Sequence, residues 1–391
     1  EFGGDGGFVE TSGKFNLTSQ GLVDLSNRMD GFEKGAFLLD PTNILIISDK
    51  TLSHYWDFEE GAGNTVNDLV GSADGTGQGG GNLEFDNTDI PVTGTTNTNS
   101  LNFNKTDGVY AGLGDLSTVE EAAITIAFWG RVDATNADQG FIYKGAHGLN
   151  NPLLFWRDQS VNNSIPAINP GGSNAISLLV TDTGGNQTWL ATASNTANDT
   201  NWHHYSFTID PVNDFAEIYI DGVAQLGGFA YTDGGIANTS APFTFGQAVG
   251  ASSSNRLDGR MDDVRIYTGA LSGAEVALLP DGGLFTVNQL ESMSATADVS
   301  LVATNNITLD LQGDQLDIGA GQSISLTTSA TGSIMDTSAG TIRTTGGGNI
   351  TLSAADEINL DSTNLEAAGG GAVNLTAAGN FKSGCYSLAP I

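Results

Sequence analysis

Between Trp202 and Tyr267 apolar and polar residues alternate in short runs, each closed by a turn former, and this pattern leaves few folds open. The runs are Trp202-His203-His204-Tyr205-Ser206-Phe207-Thr208-Ile209-Asp210, Ala216-Glu217-Ile218-Tyr219-Ile220 and Gly259-Arg260-Met261-Asp262-Asp263-Val264-Arg265-Ile266-Tyr267. A period of two places successive side chains on opposite faces, so each run reads as a half-buried antiparallel strand. Asp210-Pro211, Asp221-Gly222 and Asp258-Gly259 bound them. Asp221-Gly222 predicts a tight hairpin, because a primed turn needs positive φ and both residues tolerate it. Upstream, His54 to Gly61 predicts a first strand and Ala123 to Trp129 a central one. Trp56, Trp129 and Trp202 are expected to point inward.

Several of these phrases resemble the laminin-G-like family. They are the Trp202-His203-His204 opening, the Ile218-Tyr219-Ile220-Asp221-Gly222 hairpin, the closing Asp262-Asp263-Val264-Arg265-Ile266-Tyr267 and the following Ala270-Leu271-Ser272-Gly273-Ala274-Glu275-Val276. The resemblance runs from about residue 52 to 279. It implies a concanavalin-like jelly-roll sandwich of two sheets, a fold that is usually an extracellular recognition module. Ser272 and Glu275 have capping-box spacing, which predicts a closing helical turn. Residues 71 to 100, rich in Gly, Thr, Asn and Asp, are expected to form a long surface loop, and further loops are expected in 133 to 175.

The text differs on either side. Residues 1 to 50 are apolar bursts of a few residues, such as Phe37-Leu38-Leu39 and Ile44-Leu45-Ile46-Ile47, separated by Gly, Asp and Ser. Such runs suit solenoid rungs, in which each strand is short and each corner needs a turn residue. Gly6-Gly7-Phe8-Val9-Glu10-Thr11-Ser12-Gly13 and Gly35-Ala36-Phe37-Leu38-Leu39-Asp40-Pro41-Thr42-Asn43-Ile44 resemble phrases of filamentous-haemagglutinin-type exoproteins. That resemblance implies bacterial secretion by the two-partner route and a right-handed parallel β-helix. After Pro280-Asp281-Gly282-Gly283, four phrases recur with leading apolar residues Ile307, Ile324, Ile350 and Val373, at intervals of 17, 26 and 23. A β-helix turn uses about this many residues. Asn at the phrase edges is expected to stack along the axis.

The expected fold is therefore all-β: residues 51–281 form the jelly-roll sandwich, inserted between solenoid segments 1–50 and 282–391. Glu1-Phe2-Gly3-Gly4 reads as mid-chain text, and a processed or excised piece of a longer polypeptide is expected. Short solenoid segments leave open strand edges, so end-to-end stacking with further copies of the chain is the expected self-association.

With 13 Lys and Arg against 45 Asp and Glu, the formal net charge is −32. That balance argues against direct contact with nucleic acid or anionic membranes and makes divalent cations natural partners. No stretch is apolar and long enough to insert in a membrane as a helix. Cys385 is the sole cysteine, so no intrachain disulfide forms. The chain is expected to be secreted, extracellular or on a bacterial cell surface.

For ions, the sandwich resemblance implies a structural calcium where first and last strands meet, with Asp57, Glu59 and Asp262 as the matching residues. Asp68 and Asp107 are weaker candidates, and Asn104 stands where the family often carries Asp. For ligands, Trp156 and Trp189 are candidate stacking platforms for a sugar ring or cover for the core. Scarcity of Lys and Arg points to a neutral glycan or a surface protein rather than a sulphated chain. The adjacent His203 and His204 lie on opposite faces of one strand and cannot share a metal. Neither the Glu-x-Asp-x-x-Glu array of glucanases on similar sandwiches nor a Gly-x-Ser-x-Gly elbow occurs, and no catalytic residue is assigned. The sequence reading is a non-enzymatic adhesin, with a filament subunit as the alternative and a carbohydrate-active enzyme behind both.

Overall fold

A computed structural model describes residues 8–11, 36–39, 41–92, 97–120, 123–135, 138–145, 152–158, 173–231, 234–247 and 256–383. Cys385 lies outside them. The chain divides into two compact units, one of residues 52–92 with 97–277, the other of 1–51, 93–96 and 278–391.

The first unit is a sandwich of a nine-stranded and an eight-stranded sheet. Ile124–Val132 is central in the larger sheet, paired antiparallel with His203–Asp210 on one side and Gly259–Thr268 on the other. Ile124, Ile126 and Phe128 point into the space between the sheets, where Phe128 meets Phe141 at 5.4 Å and Phe155 at 5.5 Å between ring centroids. Phe155 stacks in turn on Phe207 at 5.2 Å. These rings fill a core that small aliphatic side chains would leave partly empty. The Asp221-Gly222 hairpin forms as expected, with φ of 51° and 76°, joining Phe215–Ile220 to Val223–Ala224. So does the helical turn Gly273–Val276, whose capping box pairs Ser272 with Glu275.

Three expectations need correction. Residues 71–100 are not one loop: Gly75–Gln78 and Glu84–Asp86 are strands, each at the outer part of a sheet. Phe155 and Trp156 sit in the strand Leu153–Asp158 rather than in a loop. Of the three tryptophans expected inside, only Trp56 joins the core. Trp129 follows core-facing Phe128, so the strand period turns it to the other face, where it meets His204 edge-on at 5.4 Å. Trp202 precedes its strand and donates its indole N–H to Asp89 at 2.9 Å.

The second unit is a β-solenoid with three parallel sheets. Strands from both sides of the sandwich in sequence share it. Ala36–Leu39 pairs with Asp298–Ala303, and Ile44–Ile47 lies between Leu284–Thr286 and Ile307–Asp310. The sandwich is thus inserted, in sequence, within one solenoid. Inward positions such as Val299, Leu301, Ile324, Leu326, Ile350 and Leu352 are buried, while Ser300, Ser325, Thr327, Thr351 and Ser353 between them are half-buried. The axial column runs Phe37, Val299, Ile324, Ile350, Val373. Ile307, taken from sequence as the head of that column, belongs to a different face, which explains its short interval.

The corners carry a ladder in which each side chain accepts the backbone N–H one turn on. Asp298 accepts from Ser323, Ser323 from Asn349 and Asn349 from Ala372, at 2.7, 3.0 and 2.8 Å and separations of 25, 26 and 23 residues. The expected Asn stacking is therefore side chain to backbone. One element went unforeseen, the helix Val287–Ser294. Its Glu291 carboxylate and Ser294 hydroxyl accept the N–H groups of Asp317 (2.9 Å) and Gly319 (3.0 Å), satisfying donors along the first strand of the three-stranded face. The signal for it was present, since Thr286 and Gln289 have capping-box spacing.

Candidate functional site

In the eight-stranded sheet Leu153–Asp158, Ala175–Thr181 and Gln187–Ala191 run side by side. Leu153, Phe155, Ile176, Leu178, Val180 and Leu190 face the core. Alternation then turns Leu154, Trp156, Leu179 and Trp189 to the opposite face. There they form a second apolar cluster, with Tyr143 from the neighbouring strand Gln139–Lys144. Tyr143 pairs with Leu154, Leu154 with Leu179 and Leu179 with Trp189, making a row across four strands. The Tyr143 ring lies so close to Gly140 that a Cβ there would stand 1.6 Å from its hydroxyl, so only glycine fits beneath it.

Trp156 and Trp189, chosen separately from the sequence, are brought together at 5.0 Å between ring centroids with an interplanar angle of 76°. Both are half-buried. The Trp189 indole N–H is shielded from solvent and has no hydrogen-bond partner. The Trp129 indole N–H on the other sheet is in the same situation. Chemically, the face offers two aromatic surfaces at a steep angle. Sequence reasoning missed Tyr143, Leu154 and Leu179. For Leu179 the available signal was Leu178-Leu179-Val180, since successive apolar positions in a strand are covered on both faces.

The three residues expected as calcium ligands each hold hydrogen bonds. Glu59 accepts the amides of Thr98 at 2.8 Å and Asn99 at 3.1 Å. Asp262 accepts the Asn97 side chain at 2.7 Å and the Asp263 amide at 2.8 Å. Asp57 accepts the Glu59 amide at 3.3 Å. Burial, with the charges of Glu60, Glu59 and Asp263, pushes the Asp57 carboxyl up to about 7. Asn97, Thr98 and Asn99 thus supply donors to Asp262 and Glu59. Among the described residues no group of three or more His, Cys, Asp or Glu is arranged to hold a metal. Asp68, the weaker candidate, accepts four backbone amides and His54 instead. Asp107 borders an open hollow of 420 Å³ with Gly79, Gly80, Gly81, Asn82 and Glu84.

The histidine pair divides as strand geometry requires. His203 bonds Asp221 at 2.8 Å and Asp199 at 3.1 Å, while His204 is buried against Trp129. Burial, helped by the Arg265 charge, holds the His204 imidazole down at about 3.

Residues 103–277 match the family described as Laminin_G_3, Concanavalin A-like lectin/glucanases superfamily. This stretch is a concanavalin-like domain. Among solved structures, domain 4 of the extracellular GH43 arabinanase AbnA from Geobacillus stearothermophilus, in complex with arabinotriose, is similar at 17% identity and TM-score 0.42, covering 59% of this chain and 98% of that one. The binding domain of botulinum neurotoxin serotype G is similar at 14% identity and TM-score 0.42, over 59% of this chain and 50% of that chain. Trypanosoma rangeli sialidase in complex with sialic acid follows at 13% and 0.38, over 59% and 32%. No curated protein matches. No helix among the described residues is long and apolar enough to cross a membrane.

Proposed function

We propose that the sandwich binds a neutral glycan on the face built by Trp156 and Trp189, and that the chain serves as an extracellular bacterial adhesin of filamentous-haemagglutinin type. The observation that carries this reading is the half-exposed tryptophan pair on one face of the sheet. A pyranose or furanose ring presents C–H groups that pack on indole. The net charge of −32 disfavours sulphated or other anionic sugars. The solenoid supplies stiffness and length through its backbone ladders. A panel of neutral oligosaccharides titrated into the full chain by calorimetry tests the reading. Binding of one member, abolished by Trp156→Ala and by Trp189→Ala with melting unchanged, supports it. Binding that survives both substitutions, or no binding across the panel, overturns it.

A filament subunit is the second reading, favoured by one observation. In the outermost described rung, Val373–Ala377, the inward side chains Val373, Leu375 and Ala377 are half-buried, whereas Ile350 and Leu352 one turn before are fully buried. Another copy stacked on that rung would cover them. Regular fibres in electron micrographs of the purified chain would support it, and isolated particles at all concentrations would sink it.

A further inference from the structure

Away from the tryptophan face, three distant stretches of the sandwich meet in an ordered relay. Asp68 Oδ2 lies 2.5 Å from His54 Nδ1, and His54 Nε2 lies 2.6 Å from Thr118 Oγ1. Asp68 and His54 are buried, and Thr118 is exposed. The carboxylate is well fixed: Oδ1 accepts the amides of Tyr55, Val70 and Gly71, at 3.1, 3.2 and 2.9 Å, and Oδ2 accepts that of Ala73 at 2.9 Å. Burial alone would raise the Asp68 carboxyl, but the His54 bond and these amides outweigh it and hold it at about 2. An ionised carboxylate only accepts, so a His54 proton stands on Nδ1. Where Nε2 carries none, the Thr118 hydroxyl donates to it. The imidazole plane is set by stacking on Trp56 at 5.6 Å and 9°. Gly71 leaves room for the pair, since a Cβ there would lie 2.4 Å from His54 Nδ1.

Hydroxyl, imidazole and carboxylate in this order are the arrangement that makes an alcohol nucleophilic: the ring takes the proton as the oxygen attacks, and the carboxylate stabilises the resulting imidazolium. We propose that Thr118 is an activated hydroxyl that accepts an acyl group from small activated esters reaching the surface. Thr118 Oγ1 forms a bond to the ester carbonyl carbon, and its proton passes to His54 Nε2. The carbonyl carbon releases the alcohol or phenol, which leaves with that proton, and Thr118 is left as an ester. Water then regenerates Thr118 by the same route, releasing the acid. The reaction needs no oxidant, reductant or further cofactor.

The full chain would be incubated with p-nitrophenyl acetate and, separately, with an alkyl fluorophosphonate, then read by phenolate release and by peptide mass spectrometry. An adduct on Thr118 is expected. Thr118→Ala, at an exposed position, is expected to abolish it without changing the melting temperature, and Thr118→Ser to preserve it. His54→Gln is expected to slow labelling about a hundredfold or more. The absence of an adduct on Thr118 in the folded protein would overturn the proposal and leave the relay as a hydrogen-bonded staple. Phenolate release that persists unchanged in Thr118→Ala would overturn it equally.

Discussion

The sandwich and the solenoid are both made of short strands, yet they hold them by different means. In the solenoid, the corner hydrogen bonds between rungs join residues 23 to 28 positions apart, each rung touching the next. The exception is the splice around the inserted domain, where Ser48 donates to the Leu311 carbonyl across 263 positions. In the sandwich, bonds join residues as far apart as Ser53 and Thr268, or Asn97 and Asp262, separated by 215 and 165. The cores differ in kind as well. Rings of Phe128, Phe141, Phe155, Tyr205 and Phe207 interlock in the sandwich, whereas among the described buried residues Ile, Leu, Val and Ala line the solenoid with one aromatic, Phe285. A stack of rungs stores its stability as a sum of neighbour terms, and a closed sandwich stores it collectively.

Truncating one core residue in each region should expose that difference most strongly. Phe128→Ala should cost about 3–5 kcal/mol and lower the whole sandwich transition. Leu352→Ala should cost about 2–5 kcal/mol but loosen only the rungs beside it. Scanning calorimetry with hydrogen exchange reads both. A single transition that moves together in the two variants would break the comparison.

Acid should separate the regions next. All four histidines lie between residues 54 and 204, and His204, buried beside Trp129 with Arg265 and Asp221 as its charged neighbours, is held down at about 3. In the unfolded chain an imidazole takes its proton near 6.5. The unfolded state therefore binds the proton first. The contribution of neutral His204 is fully present above about 6.5 and is lost as pH falls toward about 3, a swing of roughly 4–5 kcal/mol. His204→Gln should flatten the pH dependence of the sandwich melting temperature over that window and leave the solenoid untouched. An unchanged profile would show that other groups set the acid limit.

The smallest effect belongs to the corner ladder. Asn349→Ala removes the acceptor of the Ala372 amide and should cost about 1 kcal/mol. Faster exchange confined to that amide and its immediate neighbours would sharpen the picture of independent rungs. Loss of protection throughout the solenoid would contradict it.

Most of the fold was legible because period-two alternation is a local property. The hairpin at Asp221-Gly222 and the capping box at Ser272 and Glu275 needed only adjacent residues. Where the alternation was applied loosely it misled: Trp129, next to core-facing Phe128, had to turn to the opposite face of the sheet, where it is buried against His204. The solenoid column was read one face off at Ile307, because similar phrases serve every face and only pairing with Val299 and Phe37 shows which rung is which. At the candidate site the sequence supplied Trp156 and Trp189 as separate possibilities. It held no sign that their strands flank a common neighbour, nor that Tyr143 would complete the patch.

By itself, then, the sequence determined the element type, the turn positions, the separation of a jelly roll from flanking rungs and the strong acidity, all of which follow from neighbouring residues and composition. The tertiary structure alone decided that rungs on both sides of the inserted domain form one solenoid, and that residues 97–99 occupy the oxygens of Glu59 and Asp262. It also decided that two tryptophans meet edge to face and that Asp68, His54 and Thr118 fall into line. Such features depend on which distant strands become neighbours, and that choice is made by the packing of the whole core rather than by any stretch of the chain.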